Sequence, residues 1–224
     1  MKITMYAHAS FRLEADGRTI ITDPYTPGSE ASGFAPINEP ADIVIMSSAT
    51  DSFHSDPSHI TDNPVVVNVL ELPLEGTEVK GVAIKPFPAM ESMTFDFGRD
   101  PDANAMYLFT LGGLHVLHMG DIGNPIEPKT LDALQGQVDV MLALTGAHAT
   151  IALEDLDIAI DIIKPRAVIP MHFYSPRGVL QIEPVDTFLA RRKEEITRVE
   201  GPSVVLTPQT LPPKTHIYVL QQSR

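Results

Sequence analysis

Three pieces of residues 138–172 decide the fold: Val138-Asp-Val-Met-Leu-Ala-Leu144, Leu153-Glu-Asp-Leu-Asp-Ile-Ala-Ile-Asp-Ile-Ile-Lys164, and Ala167-Val-Ile-Pro-Met171 closed by His172. The first and third are nearly continuously apolar, the pattern of strands buried on both faces. The middle piece has the spacing of an amphipathic helix, with Glu154 and Asp155 in the first turn, Lys164 in the last and Pro165 as its stop. Strand, helix and strand in this order predict an α/β sheet with a helix laid over it.

Outward from this unit, the N-terminal part reads as strands. Lys2–His8 and Ser10–Glu14 are followed by an Asp16-Gly17 turn and Arg18–Thr22, a hairpin signal. A loop dense in Pro, Gly and Ser runs from Asp23 to Pro40, and Asp42–Ser47 reads as a buried central strand. Short strands are predicted at Val65–Val69, Val79–Ile84, Ser92–Phe97, Ala105–Thr110 and Leu114–His118, the last two joined by Leu111-Gly-Gly113. The C-terminal part adds helices at Pro128–Gln135 and Pro184–Ile196 and closing strands at Ser203–Thr207 and Thr215–Leu220. Strands first and helix–strand alternation later predict two packed sheets with helices outside, in one domain over residues 1–224.

Composition narrows the function. Hydrophobic residues at 43% and charged residues at 20% are those of an ordinary globular chain. With no cysteine, disulfides, thiolate metal ligands and a cysteine nucleophile are excluded, so any metal must sit on His, Asp or Glu. A net charge of −13 opposes a phosphate backbone, which argues against nucleic acid as a partner. No apolar run is long enough to span a bilayer and no stretch reads as a signal peptide, so the expectation is a cytoplasmic protein acting on a small molecule.

Polar residues collect at the predicted strand ends: His8, Asp23-Pro24, the Ser47–Asp56 segment, Gly120-Asp121 and His172. Ligand sites in α/β folds favour such ends. In order and spacing, His8-Ala-Ser-Phe11, Thr22-Asp-Pro24, Ala41-Asp-Ile-Val44, Leu117-His-Met-Gly-Asp-Ile-Gly123, Thr145-Gly146 and Val168-Ile-Pro-Met-His172 resemble the metallo-β-lactamase superfamily, most closely its ascorbate-6-phosphate-lactonase-like branch of metal-dependent hydrolases. The resemblance covers nearly the whole chain. It implies an αββα four-layer sandwich, with His8, Asp23, Asp121 and His172 converging on one rim.

The family's His-x-His-x-Asp-His ligand motif is degenerate here. Read without a gap, its four places hold Ser48, Thr50, Ser52 and Phe53; slipped by one residue they hold Ala49, Asp51, Phe53 and His54. A further family histidine is absent from Phe87-Pro-Ala-Met-Glu91, which offers only Glu91. The resemblance assigns Asp121, His172 and His8 to the site, with His54 as a relocated ligand or a plain surface residue before Pro57. Asp56 and Glu91 are the candidates for holding or deprotonating a water. His148 reads as a pocket wall, and His115 and His118 face opposite sides of one strand. His59 and His216 carry no assigned role, and Asp157 and Asp161 read as a solvated acidic face.

Two functions stay open. One is a divergent hydrolase of a small ester, lactone or phosphorylated sugar derivative, with at most one zinc or other divalent ion on His8, His54, Asp121 and His172. The other is a non-catalytic member of the fold with a metal-free cleft, serving in binding or assembly.

Overall fold

The computed structural model describes residues 1–51, 53–90, 104–148 and 150–224. Strands β1 (Lys2–Ala7), β2 (Ser10–Ala15) and β3 (Arg18–Thr22) form an antiparallel meander. The turn between the last two places Asp16 and Gly17 at φ 52° and 69°, the left-handed pair that matches strand twist. β4 (Ile43–Met46) and β5 (Val65–Asn68) add in parallel, separated by a 3₁₀ turn at Pro57–His59. A hairpin of β6 (Thr77–Val79) and β7 (Val82–Ala89) follows, then β8 (Asn104–Leu111) and β9 (Leu114–His118). The remainder alternates: α1 (Pro128–Leu134), β10 (Val140–Leu144), α2 (Leu153–Ile163), β11 (Ala167–Met171), α3 (Val185–Leu189), β12 (Glu195–Arg198), β13 (Ser203–Val205) and β14 (His216–Val219).

These strands make two sheets, ordered β13-β1-β2-β3-β4-β5 and β12-β14-β11-β10-β9-β8-β7-β6. β9, β10, β11 and β14 run parallel, as helical crossovers require. One apolar core joins Ile3, Phe11, Ile20 and Ile45 of the first sheet to Phe109, Leu142 and Ile169 of the second. All residues of β10 and β11 are buried, because α1 and α2 cover the face turned away from the first sheet. The outer face of the first sheet is sealed differently: Tyr6, Ile21 and Val44 pack against Tyr25, Phe34 and Ile37 of the 23–42 loop. His59 holds that loop, its Nδ1 accepting from Ile37 N–H (2.8 Å) and its Nε2 donating to Tyr25 O (2.9 Å). Among the described residues no helix is long and apolar enough to cross a membrane.

The fold departs from the sequence reading in places. Val79–Ile84 is not one strand but the hairpin of β6 and β7, turning at Lys80-Gly81, both at positive φ. The helix expected over Pro184–Ile196 stops at Leu189, because Glu195–Arg198 pairs with β14 as an edge strand; tertiary pairing overrides local helix preference. Asp157 and Asp161 are not merely solvated: the nearly buried Arg192 guanidinium bridges both, at 3.0 and 2.8 Å, and Glu194 as well. The strand expected at Ser92–Phe97 lies outside the described residues.

Candidate metal centre

Strands of both sheets end at one rim, and the residues that follow three of them turn sharply. His8 after β1, Asp23 after β3 and His172 after β11 have φ of 56°, 37° and 51°. For non-glycine residues this left-handed region costs roughly 1–2 kcal/mol each, strain of the kind that gathers at functional sites. The His172 N–H donates to the His8 carbonyl at 2.9 Å, joining the end of the second sheet to the end of the first.

The side chains meet within a few ångströms. His172 Nε2 lies 3.2 Å from Asp121 Oδ1, and His54 Nε2 lies 3.5 Å from Asp121 Oδ2. The His8 ring stands 4.0 Å from the His172 ring and 5.1 Å from that of His54, centre to centre. Donor atoms of His8, His54 and His172 all lie within 4.8 Å of one another, and so do those of Asp51, His54 and Asp121. Exposure is 5% or less throughout, with His54 wholly buried.

A second ring of contacts fixes these groups. Asp23 accepts from Ser47 N–H (2.9 Å), Ser47 Oγ (2.5 Å), Tyr107 Oη (3.1 Å) and His54 Nδ1 (2.9 Å). Burial alone would raise the Asp23 carboxyl, but His118, His54 and Ser47 outweigh it and hold it below its ordinary value. His118 is itself spoken for: Nε2 donates to Ala9 O (2.9 Å), Nδ1 accepts from Gly120 N–H (3.0 Å), and Tyr107 stacks on the ring at 4.8 Å. Asp121 N–H donates to Asn104 Oδ1 at 3.0 Å.

This donor set fits a cation. It is made of imidazoles and carboxylates, the ligands of a thiolate-free zinc site. Among the described residues, His8 Nε2 and His172 Nδ1 are buried without a hydrogen-bond partner, and His54 Nε2, also without a hydrogen bond, faces Asp121; each such buried nitrogen costs roughly 1–3 kcal/mol. Burial lowers the His54 imidazole, but Asp121, Asp23 and Asp51 overcome it and push the ring up to about 9. The cluster thus draws positive charge. His8, by contrast, is held well below its ordinary value by burial and by His172 and His54, so its imidazole is neutral and able to donate a lone pair.

Of the four places in the ungapped register, Ser48, Thr50 and Phe53 are described, and none brings an imidazole or carboxylate to the cluster. Ser48 Oγ accepts from the Thr50 and Asp51 N–H groups (both 3.3 Å), Thr50 is exposed, and Phe53 packs 5.2 Å from the His8 ring. Asp51 and His54, which the slipped register aligns with family ligands, are the loop residues that enter the cluster. Sequence reasoning missed Asp51 because its only signal was one of two competing registers. Asp56 stands apart: its Oδ1 accepts from Ser58 N–H at 3.0 Å, capping the 3₁₀ turn. His148 is exposed in the loop after β10. Glu91 and Ser52 lie outside the described residues.

Two face-to-face sheets with helices on the outside and a His/Asp cluster at the strand-end rim define a metallo-β-lactamase-type sandwich. The β-lactamase superfamily domain matches residues 2–172, and the chain belongs to that superfamily. It is similar to a UPF0173 metal-dependent hydrolase from Thermococcus onnurineus (26% identity, 77% of this chain and 84% of the relative). Another from Flavobacterium johnsoniae is 27% identical over 92% of this chain and all of the relative. Among solved structures, a protein from Thermotoga maritima assigned as a Zn-dependent hydrolase of the metallo-β-lactamase superfamily superposes with TM-score 0.74 at 27% identity, covering 98% of this chain and 99% of its own.

Proposed function

We propose that this chain is a hydrolase that holds one divalent ion, zinc by preference, through His8, His54, Asp121 and His172. The observation that carries this reading is the placing of His54 Nε2 and His172 Nε2 against the two oxygens of Asp121, at 3.5 and 3.2 Å. The metal-dependent hydrolases among its relatives support it. When bound, such an ion polarises a carbonyl or phosphoryl oxygen and acidifies a bound water. Asp51, 4% exposed and steadied by the Phe53 N–H at 2.7 Å, is the carboxylate we assign to holding that water. It takes this task in place of Asp56, whose carboxylate serves Ser58, and Glu91 remains the second candidate. The one-ion reading is supported in either register: Ser48, Thr50 and Phe53 in the ungapped one, and Ala49 and Phe53 in the slipped one, supply neither imidazole nor carboxylate. The substrate class is a small ester, lactone or phosphorylated sugar derivative, as the resemblance to the lactonase branch implies. We place the chain in the cytoplasm, where a fold using no disulfide is at home.

The test is elemental analysis of untagged protein purified without added metal, with hydrolysis of a panel of lactones, esters and sugar phosphates by the parent and by Asp121→Asn. The expected result is about one equivalent of metal per chain and hydrolysis of a panel member, both lost in the variant. Two ions at full occupancy would overturn the one-ion reading. No metal even after reconstitution would overturn the hydrolase and favour a non-catalytic binding module.

A further inference from the structure

We infer that Gln222, Ser223 and Arg224 form a positioning strap, which ties the bulge before His8 to the loop after His172 and so sets the spacing of two imidazoles of the cluster. The inference rests on the reading of His8 and His172 as ligands and adds the part of the chain that keeps them together.

The strap lies where the ladders of β1 break off. β13 pairs with β1 only from Lys2 to Thr4, and the pairing of β1 with β2 shifts register between Met5 and Ala7, passing over Tyr6. Irregularities of this kind recur beside active sites, where they re-aim the chain that follows. Here His8 follows, in its left-handed turn at φ 56°. Residues 223 and 224 take the carbonyls at the break: Ser223 Oγ donates to Met5 O at 2.9 Å, and Arg224 N–H donates to Tyr6 O at 3.0 Å. The Arg224 guanidinium lies over the Tyr6 ring, 5.1 Å from its centre, and pairs with Glu39, which also accepts from Tyr6 Oη at 2.7 Å.

The other side of the strap holds the loop that leaves His172. Gln222 Nε2 donates to Phe173 O at 3.4 Å, and the Gln222 carbonyl accepts from the Arg177 guanidinium at 2.9 Å. The circuit closes through His172 N–H on His8 O at 2.9 Å. His8 and His172 therefore belong to one hydrogen-bonded ring of backbone, with their imidazole centres 4.0 Å apart. Among the described residues, His8 Nε2 and His172 Nδ1 have no hydrogen bond, so much of the placing of these rings falls to the backbone. Left-handed turns at such residues persist only where the surroundings over-determine them. The strap adds that constraint from outside the strands of both sheets.

None of the three strap residues belongs to either apolar core, so the ring can be cut without opening the core. Arg224→Pro removes the N–H on Tyr6 and the guanidinium on Glu39. Arg177→Ala with Gln222→Ala removes the side-chain links to the loop. We expect each folded variant to bind zinc about 10-fold more weakly than the parent, read by competition with a chromophoric chelator. All three substitutions together should cost no more than either cut, because a ring opened once is open. Arg224→Lys keeps the backbone donor and a cation for Glu39, and should bind zinc as the parent does. Parent affinity in both cuts, whatever their metal-free melting temperatures, overturns the strap and leaves the metal site standing. Losses that multiply in the triple variant mean two separate local contacts and overturn it as well. Should Arg224→Pro not fold, the cut at Arg177 and Gln222 decides, and unchanged affinity there overturns the proposal. A parent that binds no zinc overturns the reading of His8 and His172 as ligands, and this inference with it.

Discussion

Gly120 shows how tightly the rim is built around single residues. It sits at φ 62°, and a Cβ there would lie 2.5 Å from Asn104 Oδ1 and 2.6 Å from the Ala105 carbonyl. Asn104 Oδ1 already accepts the Asp121 N–H, so it cannot withdraw without releasing the residue that faces both His54 and His172. Gly136 has a similar φ of 70°, but a Cβ there would meet nothing within 4 Å. Both Gly→Ala changes bear the left-handed strain of roughly 1–2 kcal/mol, whereas Gly120→Ala adds overpacking of about 1–3 kcal/mol. Thermal melts of the two variants should therefore separate, with Gly120→Ala the less stable. Equal losses would show that the close approach beside Asp121 is not maintained in solution.

At the scale of elements, the 47–56 loop is where this chain leaves its family's pattern. Its turn is organised by Ser48 Oγ, by Asp51 Oδ1 on the Phe53 N–H, and by Asp23 on Ser47 and His54. Restoring family residues by Ser48→His, Thr50→His and Phe53→His would thus remove a buried cap and put an imidazole where Phe53 packs on His8. We predict a variant less stable than the parent by about 1–3 kcal/mol, with no second equivalent of bound zinc. The measurements are melting temperature and zinc stoichiometry on the triple variant and parent. A stability gain with zinc that exceeds the parent's would mean that the family geometry survives under changed side chains.

Across the whole molecule, the two sheets share one core and are bridged at the rim by His172 N–H on the His8 carbonyl. The N-terminal amine donates to the Leu206 carbonyl, and Arg224 pairs with Glu39, so both ends of the chain are fastened to the first sheet. We propose that residues 1–224 form a single domain and predict that they unfold as one unit. Far-UV and near-UV circular dichroism should therefore give coincident melting curves, the second reporting the packed tyrosines and phenylalanines. Two separated transitions would divide the chain into independent units.

What the sequence determined by itself is the set of elements with a local signal and the order in which they come. Period-two and continuous apolar runs marked most strands, Asp16-Gly17 marked a turn, and Pro165 ended α2, because these depend on neighbours in the chain. Of the site, it showed polar residues at strand ends and, through resemblance, Asp121, His172 and His8. It could not choose a register for Ser47–Asp56, since a one-residue slip changes no local preference. Only the tertiary structure placed Asp51 and His54 beside Asp121, brought Asp23 behind His54, and satisfied both nitrogens of His118 elsewhere. It also ended α3 early, through the pairing of β12 with β14. The reason is common to all of these: donor direction, ring orientation and left-handed turns at His8, Asp23 and His172 are imposed by segments distant in the chain, and such contacts leave no trace in residue order.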